Sequence, residues 1–257
     1  HILMPHSLRE QLCLARRKVG YQNLIVEKLV FHRLTLCAPW HRAARLRFGF
    51  DGNGMQTTCY TRCMANSFDA SYYKRFYSST PVHSRKKVAL LADAVHNMCA
   101  WWDVPVRSVL DVGAGLGYWR DWYATNHPKV RRMSVDISEH ACEKYDHEQR
   151  DIAKWAPERK FDLVVCHGVL QYPTAKDADA AIKNLAKATR NVLYLEVPTA
   201  SDLRNVVDKK ATDLNVHARS GDWYRKRLEK YFVQAGAGLW VARSSDALLY
   251  ELERTKK

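Results

Sequence analysis

Residues 109–120 read VLDVGAGLGYWR, and this segment tells more about the architecture of the chain than any other. An apolar strand ends at Asp111, a loop follows with glycines at 113, 115 and 117, and the sequence then turns helical. Glycine lets the backbone approach a ligand where a Cβ atom would collide, and a helix N-terminus offers unpaired N–H groups. The segment therefore predicts a strand–loop–helix unit that holds a small polar ligand.

The spacing of the glycines argues against a dinucleotide ligand. The dinucleotide fingerprint GxGxxG needs a glycine at position 118, where this chain has Tyr118. A carboxylate at Asp111, directly before the loop, also disfavours a pyrophosphate. The acidic residue favours a ligand that carries a cationic group.

Helical and extended patterns alternate on both sides of this loop. Strands are predicted at 107–112, 131–137, around Arg150 and Ile152, at 161–166, 191–197, 238–243 and 247–253. Helices are predicted at SYYKRFY (71–77), from Ser84 to Trp102, and near 117–125, 139–147 and 175–188. Such alternation predicts an α/β fold with a doubly wound, mostly parallel seven-stranded sheet that ends in a C-terminal antiparallel hairpin.

The composition of the 257 residues is that of an ordinary globular protein, and it excludes collagen-like, low-complexity and coiled-coil chains. No apolar run approaches the roughly 18 residues of a membrane helix. The net charge of +14 invites a nucleic-acid partner, but residues 1–63 hold 10 Lys/Arg against 3 Asp/Glu and contribute half of it. The remaining residues are only mildly basic, so nucleic-acid binding is possible but not favoured.

The first 63 residues differ from the rest because their apolar residues follow neither a helical nor a strand period. We expect residues 1–63 to be an atypical N-terminal extension, outside a folded domain at 64–257. The seven cysteines form no CxxC pair, which predicts free thiols in a reducing, cytoplasmic compartment and no metal site.

From about Ser67 to Glu253 the chain resembles the class I methyltransferases that use S-adenosylmethionine. The first motif of that family, acidic-x-Gly-x-Gly-x-Gly, is matched by Asp111, Gly113, Gly115 and Gly117, with Ala114 inside the loop. The resemblance implies that residues 64–257 form a methyltransferase domain, and that this loop surrounds the methionine part of the cofactor.

The resemblance implies further cofactor contacts at the ends of the next strands. Asp136, followed by Ile137, matches the acidic position that binds the ribose diol, and Asp151 with Ile152 matches the position beside the adenine. The end of the fourth strand, with Cys166, His167 and Gly168, matches the part of the site beside the methyl group. Each acidic residue has a structural alternative: Asp136 can cap the following helix, although Ser138 serves that role better, and Asp151 can equally cap the segment IAKW.

The expected reaction is an in-line displacement at the methyl carbon, in which alignment and exclusion of water matter most. His167 is the best-placed candidate base, although it can also simply line the cofactor pocket. Candidate substrate contacts are Tyr73 and Tyr172, and, in the insertion at 198–228, His217, Trp223 and Tyr224. The alternatives are that the tyrosines of 71–77 form the core stripe of a helix, and that the insertion is a solvated helix covering the sheet.

Signatures of enzymes that methylate amino groups or cytosine carbon in nucleic acids are missing, again on the strength of the resemblance. A small-molecule methyl acceptor is therefore expected. The alternatives are an RNA or protein methyltransferase that uses the basic surface, and a cofactor-binding module without catalysis. The atom methylated and the oligomeric state stay open.

Overall fold

The computed structural model describes residues 67–78 and 82–255. The predicted extension, residues 1–63, lies outside these residues, and its boundary stays a prediction. Within the described ranges, no helix is long and apolar enough to cross a membrane.

A seven-stranded sheet forms the centre of the described domain, with the strands in the order β3-β2-β1-β4-β5-β7-β6. The strands are β1 (Ser108–Val112), β2 (Arg131–Asp136), β3 (Glu148–Gln149), β4 (Phe161–His167), β5 (Thr189–Glu196), β6 (Phe232–Gly236) and β7 (Leu239–Ala242). The first five run parallel, whereas β7 is antiparallel to both β5 and β6. This confirms the predicted fold class.

Helices connect the parallel strands, and most of them begin at a side chain that caps the first turn. They are α1 (Ala70–Tyr77), α2 (Arg85–Trp101), α3 (Tyr118–Asn126), α4 (Glu139–Tyr145), α5 (Ala175–Ala188), α6 (Ala200–Asn205) and α7 (Gly221–Leu228), followed by a 3₁₀ turn at Glu251–Glu253. Thr174, for example, accepts a hydrogen bond from the Asp177 N–H at the start of α5.

Alternate residues of the central strands face opposite sides of the sheet, and each side has its own apolar core. Leu110 and Val164 pack on one side with Ile182 of α5. Val109 and Val165 pack on the other side, against α2 and α3. Strands buried on both faces are expected of a doubly wound sheet.

The C-terminal hairpin is present, but the sequence prediction placed one of its strands wrongly. The predicted strand at 238–243 corresponds to β7, whereas residues 247–253 form no strand and end in the 3₁₀ turn. The partner of β7 is β6, which precedes it and reads FVQAG, a weak strand pattern. The two strands meet through the short turn Ala237–Gly238, whose residues both have positive φ, 49° and 81°.

A buried carboxylate holds the amino ends of the central strands together. Asp162 of β4 accepts hydrogen bonds from the backbone N–H of Arg107 (3.0 Å) and the hydroxyl of Ser108 (2.9 Å). It also pairs with Arg190 of β5 at 2.8 Å. Asp162 is only 4% exposed, so its removal would leave buried donors without a partner.

We expect Asp162→Ala to lower the free energy of unfolding by about 1–3 kcal/mol, because the buried donors lose their acceptor. Arg190→Ala is the control, since Arg190 is half exposed and its ion pair contributes less than about 1 kcal/mol. Urea denaturation of both variants measures the difference. Equal losses in the two variants would contradict this account.

Candidate functional site

A cavity of about 270 Å³ lies at the carboxyl ends of β1, β2 and β4, where α1 also contributes to its wall. Parallel strands bring their carboxyl ends to one edge, so the loops that follow them meet there. Most of the predicted site residues line this cavity: Gly113, Gly115, Asp136, Ile137, Asp151, Ile152, His167, Gly168, Tyr73 and Tyr172.

The glycine loop turns tightly because all three glycines adopt positive φ, 67° at Gly113, 54° at Gly115 and 72° at Gly117. The N–H groups of Gly113 and Ala114 both donate to the Val135 carbonyl of β2. A Cβ atom on Gly113 would lie 2.3 Å from Cγ2 of Val169. The first glycine is therefore required by backbone conformation and by a neighbour in the protein itself.

We expect Gly113→Ala to destabilise the protein by more than Gly236→Ala. Both positions have positive φ, which costs an alanine about 1–2 kcal/mol, but a Cβ at Gly236 meets nothing within 4 Å. The collision with Val169 adds about 1–3 kcal/mol of overpacking. Thermal unfolding of the two variants measures the difference.

The double variant Gly113→Ala/Val169→Ala tests the cause. Removal of the Val169 methyl groups relieves the collision, so the double variant should be more stable than Gly113→Ala alone. A further loss of stability in the double variant would refute the steric explanation.

Two buried carboxylates lie at the ends of β1 and β2. Asp136 lines the cavity, accepts the Gly115 N–H at Oδ2 (2.9 Å) and accepts the Ser138 N–H at Oδ1 (2.8 Å). Burial raises its pKa. Asp111 does not line the cavity, is 2% exposed, and its Oδ2 has no hydrogen-bond partner among the described residues. Burial, reinforced by the charge of Asp136, raises the pKa of Asp111 to about 7.

His147 holds the glycine loop through the carbonyl of Gly115, whereas Asp136 holds it through the N–H of the same residue. Its Nε2 lies 3.1 Å from the Gly115 carbonyl, which can only accept, so Nε2 carries the proton. Its Nδ1 lies 2.8 Å from the Ser134 hydroxyl and 3.4 Å from a guanidinium nitrogen of Arg120. Burial lowers the pKa of His147, and Arg120 lowers it further, while the Gly115 carbonyl, Asp136 and Asp121 raise it. His147 is therefore neutral at pH 7.

We expect the proton equilibrium of His147 to make stability depend on pH. Its pKa in the folded protein lies below the ordinary value of 6.5, so the unfolded chain takes up the proton first. The contribution of His147 is therefore present above pH 6.5 and is lost as the pH falls through the lower, folded-state pKa.

His147→Gln is the matched variant, because its amide can still donate to the Gly115 carbonyl but does not titrate. Denaturant unfolding from pH 8 to pH 5 should show a steeper loss of stability below pH 6.5 in the wild type than in His147→Gln. Parallel curves would show that His147 does not carry the pH dependence.

Asp151 and Ile152 follow the edge strand β3, which begins two residues earlier than predicted. Asp151 Oδ1 accepts the Ala153 N–H at 2.9 Å, so Asp151 caps the turn that follows it as well as lining the cavity. Ile152 is buried, at 7% exposure, yet contributes to the cavity wall. Asp151 thus caps this turn and lines the cavity, and its contact with an adenine stays a prediction.

His167 lies in the cavity wall at the end of β4, but its ring nitrogens are engaged elsewhere. The Trp119 indole N–H, which can only donate, points to Nδ1 at 3.2 Å. The ring proton of neutral His167 is therefore on Nε2, which lies 3.3 Å from Oε1 of Glu196. No free lone pair faces the cavity, and this geometry favours the alternative in which His167 lines the pocket without acting as a base.

His83, His167 and Glu196 converge closely enough to hold a metal ion, since one ligand atom of each lies within 4.8 Å of the others. A metal ion would have to displace the proton that neutral His167 carries on the nitrogen facing Glu196. Burial raises the pKa of Glu196, but the two imidazoles outweigh burial and lower it, so the carboxylate is ionised. In this arrangement the Glu196 carboxylate lies within hydrogen-bonding distance of both imidazoles, and the expectation of no metal stays a prediction.

The aromatic face of α1 closes the cavity. Tyr73 is buried, and an added Cβ on Gly115 would lie 4.0 Å from the Tyr73 hydroxyl, so the helix sits directly over the glycine loop. Tyr72 and Tyr172 join their hydroxyls at 2.8 Å across the cavity wall. The tyrosines of 71–77 thus face the cavity as well as one another.

Several predicted residues lie outside the cavity. Ala114 and Gly117 belong to the glycine loop but do not line the cavity, and Gly117 precedes the first residue of α3. Cys166 is fully buried in the core, because alternate residues of β4 face opposite sides. Tyr224 is also buried, with its hydroxyl donating to the Leu170 carbonyl at 3.2 Å.

Trp223 packs against the core, whereas His217 lies in the wall of a second cavity. The Arg227 guanidinium stacks on the Trp223 ring, with its central carbon 3.7 Å from the ring centroid. The Trp223 ring also makes an edge-to-face contact with the Tyr224 ring. Leu228 of α7 packs in the core on one side of the sheet, as the alternative interpretation expected, whereas Trp223 is only partly buried. His217 lines a second cavity, and its N–H donates to the Gln171 carbonyl at 2.8 Å.

Sequence reasoning missed His147, Val169, Trp119 and Glu196. Glu196 ends β5, so the rule that sites collect at the carboxyl ends of parallel strands could have found it. The other three are recruited by contacts between distant segments, for which the sequence carries no local signal.

Residues 110–191, from β1 to β5, match the family model described as a methyltransferase domain. A search of curated protein sequences found no match.

Solved structures with a similar fold include the magnesium protoporphyrin IX methyltransferase ChlM of Synechocystis PCC 6803 with bound SAM (17% identity, TM-score 0.48, 71% of this chain and 94% of that chain). They also include the plantazolicin methyltransferase BpumL with a desmethylPZN analog and SAH (15% identity, TM-score 0.49, 66% of this chain and 74% of that chain). A third is a methyltransferase from Clostridium acetobutylicum ATCC 824 (20% identity, TM-score 0.44, 58% of this chain and 61% of that chain). At this level of similarity, none of them indicates which acceptor this chain uses.

Proposed function

We propose that the chain is a class I methyltransferase, because residues 110–191 match a methyltransferase domain, and that it transfers a methyl group from S-adenosylmethionine to a small-molecule acceptor. The glycine loop and the strand order around it agree with this family. The identity of the acceptor is a separate question, because the family uses many.

The observation that carries the proposal is the pair of buried carboxylates at the cavity. The pKa values of Asp111 and Asp136 are both raised, first by burial, and the charge of Asp136 raises that of Asp111 further. A cationic ligand relieves this repulsion, whereas a pyrophosphate increases it. An ammonium and sulfonium ligand therefore fits the site better than a dinucleotide does.

The residues present fit S-adenosylmethionine on two further counts. Oδ2 of Asp111 is a buried oxygen without a hydrogen-bond partner among the described residues, so no donor there compensates its burial. The loop at Gly113 and Gly115 presents bare backbone to the cavity. These loop residues would hold the amino-acid part of S-adenosylmethionine. Asp111 does not line the cavity, so it would act on the ligand only through its charge.

The remaining parts of the cofactor would lie along the strand ends. Asp136 retains acceptor capacity for a ribose diol in addition to its two backbone N–H bonds. Asp151 can accept from the adenine amine, and Ile152 can pack on the ring. His167 and Gly168 would line the end nearest the methyl group.

When bound, S-adenosylmethionine supplies an electrophilic methyl carbon on a sulfonium. The chain's own residues act by binding, alignment and exclusion of water. Tyr72 and Tyr73 cover the cavity from α1, and the rigid wall at His167, fixed by Trp119 and Glu196, limits the approach of the acceptor. Proton removal by His167 is not required, and no step is assigned to it.

We expect Asp136→Asn to weaken S-adenosylhomocysteine binding by about 1–3 kcal/mol, because a ribose hydroxyl loses its charged acceptor. Isothermal titration measures the affinity, and a thermal melt shows whether the variant is folded. Glu158→Gln is the matched control, because it makes the same change at an exposed carboxylate outside the cavity.

Unchanged affinity in folded Asp136→Asn would remove Asp136 from the site. Binding of NADH in place of S-adenosylhomocysteine by the wild type would overturn the proposed function as a whole. Binding of S-adenosylhomocysteine without turnover of any acceptor would instead favour a cofactor-binding module.

A further inference from the structure

A second cavity, of about 590 Å³, opens on the other side of α1. It lies between α1 and the segment 209–217, which follows α6. Polar and charged side chains form much of its wall: Ser71, Arg75, Lys209, Thr212, Asp213 and His217.

The two cavities share a wall made of three aromatic residues, Phe68, Tyr72 and Tyr172. The hydroxyls of the two tyrosines lie 2.8 Å apart. The Phe68 ring contacts both tyrosine rings edge-to-face, with centroids at 5.0 and 4.9 Å. One hydroxyl pair and one phenyl ring thus separate the second cavity from the cavity beneath α1.

The segment 209–217 is held beside this wall by main-chain contacts. The His217 N–H donates to the carbonyl of Gln171, the residue before Tyr172. Asp213 forms a local turn in which Oδ1 accepts the Asn215 N–H at 2.9 Å. Burial raises the pKa of Tyr172, and the Asp213 charge also raises it, so the hydroxyl stays protonated and can hydrogen-bond to a ligand.

The charges of the second cavity favour an anionic ligand. Arg75 and Lys209 are cationic, and neither forms an ion pair within the described residues, whereas Asp213 is the acidic member of the wall. The Arg75 guanidinium lies 5.0 Å over the Phe76 ring, and Arg75 is an exposed residue of the cavity wall. Aromatic side chains at Phe68, Phe76 and Tyr172 offer stacking surfaces for a planar ligand.

We propose that the second cavity binds the methyl acceptor, and that this acceptor is a small hydroxylated aromatic acid. Its carboxylate lies beside Arg75 and Lys209, and its hydroxyl reaches the cavity beneath α1 when the hydrogen bond between Tyr72 and Tyr172 opens. The inference rests on the proposed function and adds to it the place and the chemical class of the acceptor.

The transfer balances without any further reactant. The hydroxyl oxygen forms a bond to the methyl carbon while the carbon–sulfur bond breaks, and the electron pair of that bond stays on sulfur. The hydroxyl proton passes to solvent water. The products are a methyl ether and S-adenosylhomocysteine.

Isothermal titration of the protein saturated with S-adenosylhomocysteine tests the inference with three probes of one scaffold: 4-hydroxybenzoate, its methyl ester and tyramine. We expect the acid to bind about tenfold more tightly than the ester, and tyramine to bind most weakly, because only the acid pairs with the cationic rim.

Arg75→Glu should lower the affinity for 4-hydroxybenzoate by about tenfold or more and favour tyramine. Lys226→Glu is the matched control, because it reverses an exposed charge on α7, outside both cavities. S-adenosylhomocysteine affinity should stay unchanged in both variants.

The two levels of the proposal fail in different ways. Absence of S-adenosylhomocysteine binding by the wild type would overturn the proposed function. Normal S-adenosylhomocysteine binding, with no binding of the acid or with equal affinities for the three probes, would overturn the acceptor site alone. An equal loss of acid binding in Lys226→Glu would do the same.

Discussion

The turn after β1 depends on Gly115, whose N–H and carbonyl are both hydrogen-bonded to side chains. Its N–H donates to Asp136 and its carbonyl accepts from His147, so a carboxylate from β2 and an imidazole from beyond α4 fix one peptide segment. The turn can be this tight because its glycines adopt positive φ. The floor of the main cavity follows from this geometry, because Gly113 and Gly115 line it.

This arrangement collects negative charge where the protein is poorly solvated. Asp136 is used twice, once to hold the loop and once to face the cavity, and Asp111 lies close enough for the two charges to interact. A fold does not gain stability from two buried carboxylates near each other, since burial disfavours both anions. Their presence supports the proposed cationic ligand, and the same charges disfavour a diphosphate.

Contacts between distant segments decide what each wall of the site can do. Trp119 of α3 donates to His167 of β4, and this one hydrogen bond determines which ring nitrogen carries the proton. The pair Tyr72 and Tyr172 joins residues 100 positions apart and separates the two cavities. A base role for His167 was reasonable from its place at a strand end, but the tautomer depends on a partner that the local sequence does not reveal.

The sequence by itself determined the alternation of strands and helices, the glycine loop and the acidic residues at the strand ends, because periodicity, turn chemistry and strand polarity are local properties. It misplaced one hairpin strand, since β6 has a weak pattern and owes its strand to pairing with β7. The alternation of β4 also separates Cys166, which lies in the core, from His167, which lies in the cavity wall. Only the tertiary structure placed His147, Trp119 and the tyrosine pair, because their roles arise from packing between segments that are far apart along the chain.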